Sequence, residues 1–223
     1  MGSESLPRLT SAGELVLPCR DGGTVSFDLF RAGGLGMAGA GAANAMYALL
    51  AGLLFGESCP DVHIVGADED LSLFTGLPIR RLRVPGPPHL TSFATHAEVL
   101  RALRTRRPAH GPGAAPPFLI LLALGRRELR RELPEILTPG DPGRRMAAIV
   151  VPAAPVGYTC TLDRNGDVLK AHGTGLDAEA GSALLRGRFA QLEVNDIADL
   201  FVAYLAGMIA RYEMRRPWPD FPL

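Results

Sequence analysis

Residues Gly36 to Ala43 read GMAGAGAA, a G-x-x-x-x-G spacing of the kind that lets successive backbone N–H groups curl around phosphate oxygens. Chemistry on a nucleotide needs two further groups directly after the last glycine: a lysine that neutralises the terminal phosphates and a hydroxyl that holds Mg²⁺. Ala42 and Ala43 stand there instead. The candidate anion cradle is therefore the backbone of Gly36, Gly39, Gly41, Ala42 and Ala43, and no side chain in it can act on a phosphate. The same stretch also contains Gly34-x-Gly36-x-x-Gly39, a dinucleotide fingerprint, with Asp68 near the end of the next strand as the group that would meet a ribose hydroxyl. The spacing from Gly39 to Asp68 is longer than the ~20 residues usual for that fingerprint. Glycines at such intervals also serve close packing of strand and helix, with no ligand at all.

Other side chains form weaker patterns. Asp68-Glu69-Asp70 are consecutive carboxylates, expected to point apart from one loop into solvent. His63, His89, His96, His110 and His172 show no H-x-H or HExxH spacing, and His63 within its apolar strand is expected to be a satisfied core residue. No metal site and no catalytic residue follow from these spacings. Arg80-Arg81-x-Arg83, Arg126-Arg127 and Arg130-Arg131 could grip phosphate or carboxylate. Glu128 and Glu132 stand at offsets that allow local ion pairing with the helical arginines, which favours a solvated face. Cys19, Cys59 and Cys160 lie far apart and form no CxxC pair, so thiols in a reducing compartment are expected.

The elements that must position these groups alternate in type. Glu14 to Arg20 and Thr24 to Phe30 are β-prone runs on either side of Asp21-Gly22-Gly23, a hairpin signal. Gly34 to Ala38 leads through the glycines into an apolar helix over Ala42 to Phe55. Asp61 to Gly66 is a short strand, followed by a Pro/Arg-rich connector through Pro88 and an amphipathic helix over His96 to Arg107. Phe118 to Leu124 is a continuous apolar run, the pattern of a strand covered on both faces in a parallel sheet, and Met146 to Val151 is another. A helix over Arg126 to Leu137 lies between them. Tyr158 to Leu162 and Val168 to His172 enclose Asn165-Gly166, a second hairpin. A last helix spans about Asn195 to Arg211, and the tail carrying Trp218 and Phe221 holds too many prolines for regular structure. Strands alternating with helices imply an α/β layer architecture.

Composition bounds the function. The 223 residues contain 23 basic and 23 acidic side chains, so no net field draws the chain to nucleic acid. The uncharged run Ala32 to Gly56 is glycine-dense in its first half, and its helical part is too short to cross about 30 Å of hydrocarbon. No charged and apolar leader precedes the first hairpin, so cytoplasmic placement is expected.

A hairpin closing in Phe27-Asp28-Leu29, then the glycine loop, the apolar helix and the strands Pro117 to Leu122 and Met146 to Val151, resembles the FtsK/EssC-type motor ATPases over roughly Glu14 to Val151. The resemblance implies a P-loop NTPase fold: a mostly parallel sheet flanked by helices, here carrying N-terminal and C-terminal β-hairpins. It also implies where the family's reactive groups belong. Ala42 and Ala43 replace its lysine and hydroxyl, and Leu124 and Gly125 replace its acidic pair. A domain of this degenerate kind resembles that of large actinobacterial membrane proteins with LysM and transcriptional-activator modules. The reading is one domain over residues 1–223: a hairpin (1–31), an α/β core (32–151), and a hairpin, helix and tail (152–223). It is expected to lack catalysis and cofactor, and to serve as an interaction or assembly module with a protein partner or a second copy of itself. The alternatives are atypical nucleotide binding through the loop backbone and an NAD(P)-binding oxidoreductase.

Overall fold

Asp21-Gly22-Gly23 reverses the chain as its composition dictates. Gly22 adopts φ +84°, and the Asp21 carboxylate accepts from the Gly23 N–H. The computed structural model describes residues 6–55, 62–81, 83–84, 89–105, 117–137, 145–173 and 178–215. Cys59, His110, Trp218, Phe221 and most of the Ala109 to Pro117 loop lie outside them. A short strand β1 (Arg8–Leu9) pairs antiparallel with β2 (Glu14–Pro18), which forms the expected hairpin with β3 (Thr24–Asp28). Leu29 and Phe30, read as the end of a strand, instead begin the short helix α1 (Leu29–Ala32), capped by the Asp28 carboxylate on the Arg31 N–H at 2.8 Å.

The main sheet starts at β4 (Gly34–Gly39), and α2 (Ala42–Phe55) follows after two residues. Then come β5 (Val62–Ala67), α3 (Asp68–Thr75), β6 (Arg83–Val84), β7 (His89–Phe93), α4 (His96–Thr105), β8 (Phe118–Leu124), α5 (Arg127–Ile136) and β9 (Met146–Val151). The chain ends in β10 (Tyr158–Leu162), β11 (Val168–Gly173), α6 (Ala178–Arg186) and α7 (Val194–Arg215). The 8-stranded sheet has the order β11-β10-β4-β9-β8-β5-β7-β6. Every neighbouring pair from β10 to β7 is parallel, and β11 and β6 close the two edges antiparallel. The C-terminal hairpin is thus no appendage, because β10 extends the main sheet beside β4.

Burial follows the pleat. In β8, Phe118, Ile120 and Leu122 join the core beneath α2, while Leu119, Leu121 and Ala123 join the one beneath α4 and α5. Helix α2 is covered on nearly all sides, lying against β4, α3, α7 and β1, which is why its sequence carries no polar stripe. Ile197, Phe201 and Tyr204 of α7 face that core, whereas Leu200 beside them is 36% exposed.

The strand order matters for the dinucleotide alternative. In that fold the first and second parallel strands are neighbours. Here β9 and β8 separate β4 from β5, so the end of β5 lies about 14 Å across the sheet from Gly39. Asp68 is occupied elsewhere, accepting from the Arg81 N–H at 3.0 Å. The fingerprint glycines and their acidic partner are not brought together.

Candidate functional site

All the parallel strands end on one edge of the sheet, the edge where open α/β sheets place ligands. Two groups of residues lie there: the glycine turn after β4, and an acid–imidazole node after β5, β7 and β8.

The glycine turn is shorter than its motif implies. Gly36 to Gly39 belong to β4 itself, and only Ala40 and Gly41 separate strand from helix, so the residues expected to form a wide loop are held in the sheet. Each glycine meets neighbouring backbone. A Cβ on Gly39, whose φ is +94°, would overlap the Leu162 carbonyl oxygen, and one on Gly41 would overlap that of Asp163. A Cβ on Gly36 would overlap the Ala154 nitrogen and come 2.6 Å from Thr159 Oγ1. The turn of the β10–β11 hairpin therefore presses on the start of α2. Ala42 is buried and Ala43 exposed. Gln191 Oε1 lies 3.2 Å from the Gly41 Cβ position, Asn44 Nδ2 donates to Glu193 Oε1 at 3.1 Å, and Leu192 N–H donates to the Asn44 carbonyl. Acceptor oxygens and a carboxylate of the chain itself thus gather at the positive end of α2, where an anion would otherwise be drawn.

The node was not legible as a site from spacing. Asp68, Glu69 and Asp70 form the first turn of α3, where the helix dipole favours negative charge, instead of a solvated loop. Asp70 is completely buried. Its Oδ2 accepts from the Leu124 N–H at 2.9 Å and lies 2.8 Å from Nε2 of His96. The other ring nitrogen of His96 is 3.4 Å from Glu69 Oε1, and Arg126 Nη2 is 3.2 Å from that same oxygen. Asp70 Oδ1 accepts no hydrogen bond among the described residues and has Arg126 Nη2 4.0 Å away.

Local sequence explains how these groups meet. Thr95 accepts from the Glu98 N–H through Oγ1, while Glu98 Oε2 accepts from the Ala94 N–H, a T-x-x-E capping arrangement that fixes the start of α4 at His96. Arg126 is the residue that enters α5. Three helix starts, each following a strand end, therefore meet at a shared point: α3 contributes Glu69 and Asp70, α4 contributes His96, and Arg126 stands at the entry to α5. Both signals were present in the sequence: the capping box, and three acids in a row as a helix start.

The remaining expectations resolve simply. His63 is half-buried with Nε2 2.9 Å from Thr91 Oγ1, as a satisfied strand residue should be. The acid expected to pair along α5, Glu132, instead bonds Arg104 of α4 at 2.9 Å, and Arg126 at the entry to α5 bonds Glu69 of α3. Burial pushes the Cys160 thiol up to about 12. Among the described residues, no helix is long and apolar enough to cross a membrane.

No protein-family model matches the chain, and no curated protein is similar to it in sequence. Solved structures similar in fold include two ATPase fragments. Thermomonospora curvata EccC (ATPases 2 and 3), in complex with a signal sequence peptide, is 12% identical over 86% of this chain and 44% of its own, with a TM-score of 0.48. EssC (ATPases 2 and 3) from Geobacillus thermodenitrificans is 11% identical over 98% of this chain and 54% of its own, with a TM-score of 0.46. This chain thus spans about half the length of either one. At TM-scores below one half, these likenesses carry no weight for what the chain does.

Proposed function

We propose that this chain is a non-catalytic α/β domain of P-loop-like layout that serves as an interaction or assembly module, its glycine turn acting as a packing joint. One observation carries the reading: Gly39 at the end of β4 and Gly41 before α2 are in close contact with the Leu162–Asp163 backbone, and the two positions that need lysine and hydroxyl hold Ala42 and Ala43. Phosphoryl transfer relies on positioning and charge neutralisation. Ala42 and Ala43 supply neither, and the positions equivalent to a metal-binding acidic pair hold Leu124 and Gly125.

Association is supported by large apolar side chains left in solvent, Leu73 of α3 and Val202 of α7 each being 52% exposed on helices that touch one another. The balanced charge disfavours nucleic acid as the partner and fits a protein or a second copy. The resemblance of Glu14 to Val151 to motor ATPases suggests a place in a membrane-linked regulatory or secretion assembly.

Two measurements test this reading. Phosphate release from Mg·ATP in the presence of the purified chain should stay at the background rate. Sedimentation velocity over a concentration series should reveal self-association, or a monomer that binds a protein partner through α3 and α7. Turnover well above background would overturn the reading.

A further inference from the structure

The node after β5, β7 and β8 contains more ligand chemistry than a structural ion pair needs. One ligand atom from each of Glu69, Asp70 and His96 lies within 4.8 Å of the other two. Zinc-type ions hold nitrogen and oxygen donors at about 2.0–2.2 Å, which spaces the donors roughly 3–4 Å apart. Glu69 now faces Nδ1 of the ring and Asp70 faces Nε2, so a shared ion on Nε2 requires Glu69 to swing to that side, for which its side chain, 57% exposed, has room. His96 Nε2 and Asp70 Oδ2 stand 2.8 Å apart, at hydrogen-bond distance, so an ion entering there replaces the proton they share and parts them by about half an ångström.

A second observation points the same way. Asp70 Oδ1 is shut off from water with no hydrogen bond among the described residues, and lies on the side of Arg126, the cation that also touches Glu69. A buried carboxylate oxygen without a donor is costly unless something cationic completes it. Arg126, with its side chain 47% exposed, answers that need only from 4.0 Å.

We infer that Glu69, Asp70 and His96 form a binding site for a divalent transition-metal ion of the zinc class, with Arg126 as the competing cation that occupies the site's charge when no metal is bound. One imidazole and two carboxylates suit that class; a small hard ion such as Mg²⁺ prefers an all-oxygen shell. Binding places the metal between imidazole and carboxylates, displaces the Arg126 guanidinium toward solvent, and leaves at least one coordination position for water. The ion would clamp the starts of α3 and α4 against the end of β8. The inference is independent of the glycine turn, which lies about 10 Å across the sheet from the end of β8.

The test uses the full chain stripped of metal by chelation and dialysis, titrated calorimetrically with ZnCl₂ and followed with CoCl₂ by visible absorption. Saturable binding of one ion per chain in the micromolar range is expected, with a cobalt spectrum of a low-coordinate nitrogen/oxygen site and no response to MgCl₂. Glu69→Gln, at an exposed side chain that leaves the core untouched, should weaken Zn²⁺ about tenfold or more. Arg126→Gln should tighten it by removing the competitor. Asp70→Asn should abolish it, and if that variant fails to fold, the Glu69 and Arg126 variants decide alone. Absence of saturable binding by the folded chain, or binding indifferent to both Glu69→Gln and Arg126→Gln, would overturn the site and leave the node as a structural ion pair.

Discussion

The turn after β4 and the node after β5 and β8 occupy the same edge of one sheet, yet they spend their residues in opposite ways. The turn carries the recognisable spacing of small residues, and its glycines are used up by the backbone of Leu162 and Asp163. The node carries no recognisable spacing, and it brings together a buried carboxylate, an imidazole, a second carboxylate and a guanidinium from three helix starts. A motif reports that the backbone must pass through a tight place; it does not report what fills the place. Convergent side chains report chemistry, but the acids stand 26 to 57 positions from the imidazole and guanidinium they meet, and so form no single linear motif.

The largest effect expected of a single substitution falls on the node. His96→Ala leaves the Asp70 carboxylate buried without its imidazole, and removing one partner of such a pair costs about 3–5 kcal/mol. Chemical denaturation should show this as a lower midpoint, and a loss under about 1 kcal/mol would mean that the buried pair contributes little. Gly41→Ala should cost about 3 kcal/mol, because a methyl group there displaces the Asp163 backbone instead of a flexible side-chain end. If Gly41→Ala is neutral, the turn is looser than a packing joint requires, and the contrast between the two regions fails.

Two smaller effects sharpen the picture. Cys160, buried in β10 beside β4, should resist alkylation in the native protein, whereas half-buried Cys19 reacts. Because folding raises the Cys160 pKa from 9.0 to about 12, the folded state keeps the proton that the unfolded state releases. Stability from this group is complete below pH 9 and declines as pH climbs toward 12. Rapid native-state labelling of Cys160 would show that β10 separates readily from β4. The smallest effect is a null one: Ala42→Lys with Ala43→Thr should restore the motif's letters without creating nucleotide affinity, since the acceptors around α2 remain in place. A folded double variant that binds ATP would show that the cradle was there and only its side chains were missing.

Much of the fold was legible because it rests on local patterns. Helix α2 over Ala42 to Phe55 and strand β8 over Phe118 to Leu124 were read to the residue, both being apolar runs bounded by glycine or proline. The hairpins at Gly22 and Asn165-Gly166 followed from turn chemistry. Strands β1 and β6, two residues each, are too short to carry a period, and β7 lies just after a proline-rich connector that hid it. Helix α3 does not follow from a reading of its acids as a solvated loop, although acids are what a helix start favours. Leu200 is partly exposed although apolar, because α7 meets α2 and α3 along a narrower strip than its apolar residues span. The pairing of β10 with β4, which closes the glycine turn, joins residues over a hundred positions apart and depends on the whole sheet.

Isothermal titration of the purified chain with ATP, ADP and GTP, with and without Mg²⁺, tests the central claim most directly. A packing joint predicts no saturable heat at any accessible nucleotide concentration. Binding in the micromolar range that is lost in Gly41→Ala would contradict it and return the turn after β4 to the phosphate-binding role its letters imply.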